Sequence, residues 1–146
     1  MHLKKFIPFV EHLPSTLVML FLVNFYNDFN LLISFYCLFF GWLIDIDHIF
    51  DYVNYLRKTK KKYNLNDFIS GIYFSKSKKI FLILHSYEIT FVLLLLSIYQ
   101  SIFIFVAIAH FLHLLQDQIF NNNTKLSFFF VYRYLNQFDI EAVCRK

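Results

Sequence analysis

Apolar residues fall in four long blocks along this chain of 146 residues, at about 13–25, 31–44, 80–99 and 101–120, and polar residues close each block. Asn27, Asp28 and Asn30 end the first, and Asp45, Asp47 and His48 end the second. Only Gln100 and its neighbours part the third from the fourth, a spacing that predicts a tight antiparallel helical hairpin. A membrane-crossing helix needs roughly 20 apolar residues, within about 17 to 25. The third and fourth blocks reach that length. The first two are short for a full crossing, so they are expected to continue as helix through their polar ends or to sit partly buried against the others. The pattern predicts an all-α fold: one integral membrane bundle, residues 1–146, of about four transmembrane helices. The segment KLSFFFVYRYLNQF, after the polar run 121–124, adds a short amphipathic or interfacial helix.

Composition supports lipid as the solvent. Hydrophobic residues make up 58% of the chain and charged residues 16%, too little polar surface for a soluble domain of this size. Two lysines, Lys4 and Lys5, precede the first block, and no small-residue cleavage site follows before Asn24, so the first block is expected to be a retained span. Cys37 and Cys144 have no CxxC spacing and define neither a zinc knuckle nor a disulfide.

Charge orients the bundle. All 14 lysines and arginines lie at the N-terminus, between Arg57 and Lys79, or after residue 124. By the positive-inside rule both termini, a basic loop at about 52–79 and a tail at about 121–146 are expected to be cytoplasmic, with the breaks near Asn27 and Gln100 facing outward. The net charge of +4 is thereby accounted for, and no nucleic-acid module accompanies it. The basic loop reads as a solvated positive-inside segment that also attracts anionic headgroups.

That orientation brings the ionisable residues to one depth. His12 starts the first span, Asp45, Asp47 and His48 end the second, His85 and Glu88 start the third, and His110, His113 and Asp117 lie in the inner half of the fourth. Such residues at the edge of hydrocarbon are costly and mark sites. His110, His113 and Asp117 share a helix face, and Asp45 with His48 and His85 with Glu88 are each one turn apart. Neutral imidazole and carboxylate are ligands for zinc, manganese or iron, and two or three divalent ions could share this many groups.

The segments GWLIDIDHIFD, LHSYE and AHFLHLLQD, in that order at successive span ends, resemble the bacterial LexA-regulated, inner-membrane-associated metal-dependent hydrolases. That family shows an N-terminal His, Pro-Asp-Ile-Asp-His, His-Arg-Gly-x-Thr-His-Ser and Ser-His-x-x-x-Asp segments, with a more distant likeness to zinc-dependent phospholipases C. The resemblance spans residues 12–120 and implies His12, Asp45, His48, His85, His113 and Asp117 as metal ligands, with Asp47 a ligand or a partner to one. Ile44 replaces the family's proline, Glu88 follows the single His of the third segment, and His110 is an additional imidazole.

The expected activity is hydrolysis of a phosphoester in a membrane lipid or lipid-linked phosphate. Asp47 or Glu88 would act as general base, and Arg133 would hold the phosphate. The rivals are a divalent metal transporter or sensor and a non-catalytic metal-bound scaffold. Transport needs a polar path to both faces, and the outer halves of the last two blocks are apolar apart from Thr90, Ser97 and Tyr99.

Overall fold

The computed structural model describes residues 12–26, 30–120 and 125–144. The lysines at 4 and 5, the polar break at Asn27 and Asp28, and the run 121–124 lie outside the described residues. Among the described residues the regular structure is helical, apart from a single bridge between Lys79 and Asp139.

The apolar blocks form helices α1 (Leu13–Tyr26), α2 (Leu31–Gly41), α6 (Tyr87–Leu96) and α7 (Ile102–Phe120). Asn30 starts α2: its side-chain oxygen accepts the backbone N–H groups of Leu32 and Ile33, two of the donors left open at a helix start. Helix α7 lies at the centre, against α2, α6 and α1. Met19, Val23, Ile33, Cys37 and Ala109 knit α1, α2 and α7 together, while Leu93, Val106 and Ala107 join α6 to α7. The hairpin expected around Gln100 is present.

The bundle buries several polar side chains while leaving large apolar ones exposed. Its most completely buried residues include His12, His85, His110 and His113, while Phe25 and Ile98 are 70% and 77% exposed. Helix α7, at 19 residues and about 28 Å, is long and apolar enough to cross a membrane by itself. Helix α2 and the helical segment Leu43–Thr59 pass the same test together but are bent by 51°, and α1 and α6 are shorter apolar helices.

Two expectations need correction. The third block does not begin a helix at residue 80: residues 80–86 form an irregular strap, with Leu82 at φ +40°, and helix starts only at Tyr87. The strap stays irregular because side chains satisfy its backbone, as described below. The basic loop is also more ordered than a solvated connection. It contains α3 (His48–Thr59), α4 (Leu65–Ile69) and α5 (Ile72–Ser77), with Gly71 at φ +63° turning the chain between the last two. Tyr52, Tyr55 and Tyr73 pack α3 against α5, and Tyr52 bonds through its hydroxyl to Asn64. The tail forms α8 (Phe130–Leu135) and α9 (Ile140–Cys144), and Val143 of α9 packs on Ile80 and Leu82 of the strap.

Candidate metal centre

A tight turn gathers the first carboxylates. Helix α2 stops at Gly41, and the 3-10 turn Leu43–Asp47 buries Asp45 and Asp47 while Ile46 faces outward. His48 opens α3 directly after it, also buried. From the strap comes His85, from the start of α1 His12, and from one face of α7 His113 and Asp117.

These side chains meet at one point. His85 Nε2 lies 3.1 Å from Asp45 Oδ1, 3.1 Å from His113 Nε2 and 3.5 Å from Asp117 Oδ2. His113 Nε2 is 3.5 Å from the same Asp45 oxygen and 3.6 Å from the same Asp117 oxygen. Two further imidazoles flank this core: His48 Nε2 sits 3.7 Å from Asp45 Oδ1, and His12 Nε2 sits 3.3 Å from Asp117 Oδ1. The His12 ring also stacks on His113, with centroids 3.9 Å apart. Three overlapping groups could hold a metal ion: His12, Asp45 and His113; Asp45, His48 and His85; and His85, His113 and Asp117.

The outer ring nitrogens decide what the inner ones offer. His113 Nδ1 lies 3.1 Å from the carbonyl oxygen of Gly41, which can only accept, so Nδ1 carries the proton and Nε2 presents a lone pair inward. His85 Nδ1 lies 2.9 Å from Asp47 Oδ1, in ion-pair rather than hydrogen-bond alignment, which likewise draws the proton outward. His48 Nδ1 is 2.8 Å from the Tyr73 hydroxyl. Such partners on the far nitrogen fix ring orientation and tautomer at metal-binding histidines. The His85 and His113 Nε2 atoms and the carboxylates of Asp45 and Asp117 therefore converge, with His85 Nε2 within hydrogen-bond distance of Asp45 Oδ1. Asp45 Oδ2 and His12 Nδ1 have no hydrogen-bond partner among the described residues, although both are buried. Such a set repels itself unless a cation or a proton sits within it.

His85 stands on the strap, outside the apolar helices. Burial opposes a charge on it, but the carboxylates of Asp47, Asp45 and Asp117 outweigh that, so its pKa stands well above the ordinary histidine value. A proton is the natural competitor of a metal ion here.

Three expected site residues stand outside the cluster. Glu88 accepts the backbone N–H groups of Phe130 and Val131, both at 3.0 Å, and so caps α8 against α6 rather than acting as ligand or base. His110 spends both nitrogens on structure, with Nδ1 2.7 Å from the Thr90 hydroxyl and Nε2 donating to the Leu84 carbonyl at 3.0 Å. Arg133 is buried, and its guanidinium donates to the carbonyls of Leu82, His85 and Ser127, so it clamps the strap instead of meeting a phosphate. Burial lowers its pKa despite the carboxylates of Asp47, Glu88 and Asp51. Asp47 also turns out to be a partner: one oxygen faces His85 and the other accepts the Leu84 N–H at 2.9 Å, so it is not free as a general base.

Four contributors escaped the sequence reading. Asp51 accepts the N–H groups of Phe81 and Leu82 and holds the front of the strap, and burial pushes its pKa up to about 6. It could have been found from its helical spacing with His48, Tyr52 and Tyr55 on one buried face. Tyr73 gave no signal beyond its aromatic character. Thr16 lies within hydrogen-bond distance of the carbonyls of His12 and Gly41, tying α1 to α2 beneath the cluster. Gly41 is needed for close approach: a Cβ there would come within 3.2 Å of Thr16 Oγ1 and 3.7 Å of Ala109 Cβ.

No protein-family model, curated protein or solved structure matches this chain.

Proposed function

We propose that the chain is a membrane-embedded, metal-dependent hydrolase acting on a phosphoester of a lipid-like substrate at the cytoplasmic leaflet, with α1, α2, α6 and α7 as the membrane-inserted helices. The observation that carries the reading is the set of inward lone pairs: His85 Nε2 and His113 Nε2 at 3.1 Å, with Asp45 and Asp117 closing on both. Donor separations of 3.1–3.6 Å bracket the edge of ~3.3 Å expected for a tetrahedron of ligands around zinc. Manganese or iron would also accept these donors.

Four imidazoles and two carboxylates offer more donors than one tetrahedral ion uses. We assign about two ions per chain, as in hydrolytic sites that clamp a phosphoryl group between neighbouring metals. Asp45, His48 and His85 form one candidate group and His85, His113 and Asp117 another, with His12 Nε2 3.3 Å from Asp117 beside the second. Bound divalent ions supply Lewis-acid chemistry, lowering the pKa of water and neutralising phosphoryl charge. The chain's own residues do the rest. Asp47, Gly41 and Tyr73 orient the imidazoles, and the apolar helices exclude bulk water.

A second reading draws on the near-complete burial of the cluster. His85, His113, Asp45 and Asp117 alone could saturate one ion, making a closed structural site in a scaffold. Transport is disfavoured because, beyond Thr90 and His110, the buried residues toward the Gln100 turn are Leu93, Val106, Ala107 and Ala109. The deciding experiment measures metal stoichiometry and phosphoester hydrolysis on the same purified sample. About two zinc or manganese ions with turnover of a lipid phosphoester supports the hydrolase. A single tightly held ion with no turnover of any phosphate ester supports the scaffold.

A further inference from the structure

Helix α3 is built the wrong way round for water. Its inward face carries His48, Asp51, Tyr52 and Tyr55, all buried, and thus holds the helix's polar chemistry. Its outward face carries Ile49, Phe50 and Val53 at 46%, 68% and 37% exposure, preceded by Ile46 at 47%. These four follow helical spacing and form one stripe, and no described residue covers them. A contiguous apolar stripe of this kind marks an interaction surface. The stripe ends in cations: Arg57, Lys58 and Lys60 are exposed at the last turn, and Lys61 and Lys62 follow. The chain also turns away from α2 by 51° at the 3-10 turn, so α3 leaves the direction of the preceding apolar helix.

We infer that α3 is an interfacial helix whose Ile46, Ile49, Phe50 and Val53 stripe lies in the acyl-chain boundary of an anionic leaflet, with Arg57, Lys58 and Lys60 at the headgroups. Charge complementarity selects the occupant: an apolar stripe continued by a run of cations suits an anionic lipid surface. The inference rests on the membrane reading of α7 but goes beyond it, because α3 belongs to the segment expected to be a solvated loop. It also has a consequence for the site. His48 and Asp51 stand on the opposite face of this same helix, so the leaflet would set the position of one side of the metal centre.

The test uses the full chain reconstituted in vesicles with a phospholipid carrying a photoactivatable diazirine on its acyl chain, and in parallel with a water-soluble diazirine. Adducts are mapped by mass spectrometry. The expected result is acyl-chain adducts on Ile49, Phe50 or Val53 as well as on the exposed α7 residues Ile108 and Phe111. In phosphatidylglycerol-rich vesicles the α3 yield should rise several-fold over phosphatidylcholine vesicles, and the triple variant Arg57→Gln, Lys58→Gln, Lys60→Gln should abolish that rise. Acyl-chain adducts on α7 with only water-phase adducts on α3 would overturn the inference while leaving the membrane reading intact. Protection of α3 from both probes would also overturn it, since a protein partner or second copy would then cover the stripe. Water-phase labelling of α7 as well would instead remove the membrane reading itself.

Discussion

Two sets of histidine, carboxylate and arginine side chains lie at the same end of this bundle and do opposite things. In one, His12, Asp45, His48, His85, His113 and Asp117 bring ring nitrogens and carboxylate oxygens toward a common point, in groups that could hold a metal ion. In the other, Asp47, Asp51, Glu88, His110 and Arg133 pair with backbone groups, and four of the five grip residues 81–85. The difference lies in geometry, not residue type. A set paired with backbone groups rigidifies its surroundings, and a convergent set of imidazoles and carboxylates offers a place for a cation or a proton. The second set holds the first, because His85 sits on an irregular strap, where its own N–H makes only a turn bond, to the Leu82 carbonyl.

The comparison breaks most visibly at Arg133. Arg133→Met leaves three buried carbonyls and nearby carboxylates without their cation, so a loss of about 3–5 kcal/mol is expected in reversible unfolding in detergent. The folded fraction should keep its full metal content. Asp51→Ala strands two strap N–H groups and should cost about 2–4 kcal/mol, again without changing the metal count. Asp47→Asn tests the boundary between the sets. It touches no ion directly, yet by loosening His85 it should weaken metal affinity about 10–100-fold in competition titrations with a chelator. Glu88→Gln keeps an acceptor at the start of α8 and should cost only about 1 kcal/mol, with metal binding unchanged.

A pH series sharpens the same contrast. Because the His85 pKa is raised, metal-free protein gains stability from the protonated ring at low pH and loses it as pH rises through that pKa. Metal-loaded protein should run the other way, gaining stability with rising pH as the competing proton leaves. Thermal melts with and without chelator should therefore converge at acid pH and separate above neutrality. Parallel curves would place the metal away from His85.

Much of this was legible in the chain. Apolar blocks foretell the helices, and the helical spacing of the ionisable residues foretells that several of them meet in one cluster, because those signals are local. His113 and Asp117 could be paired on one face from spacing alone, and the cluster brings together six of the nine residues expected as ligands. What spacing does not encode is which ring nitrogen meets a carbonyl. His110 and His113 stand on the same helix face, yet one meets Leu84 and Thr90 while the other meets Gly41 and the cluster. The strap was misread for a related reason. Its sequence is apolar enough for a helix, and tertiary partners distant in sequence, Asp51 and Arg133 above all, hold it in an irregular path.

The central claim is that the convergent set binds metal and the strap-holding set does not. Elemental analysis of purified wild type, Asp117→Ala, His85→Ala and Glu88→Gln tests it directly. The account predicts about two divalent ions in wild type and Glu88→Gln, and loss in both Asp117→Ala and His85→Ala, two variants on separate segments of the chain. Metal-free wild type that stays metal-free after incubation with zinc and manganese, or full metal content in both alanine variants, would contradict it.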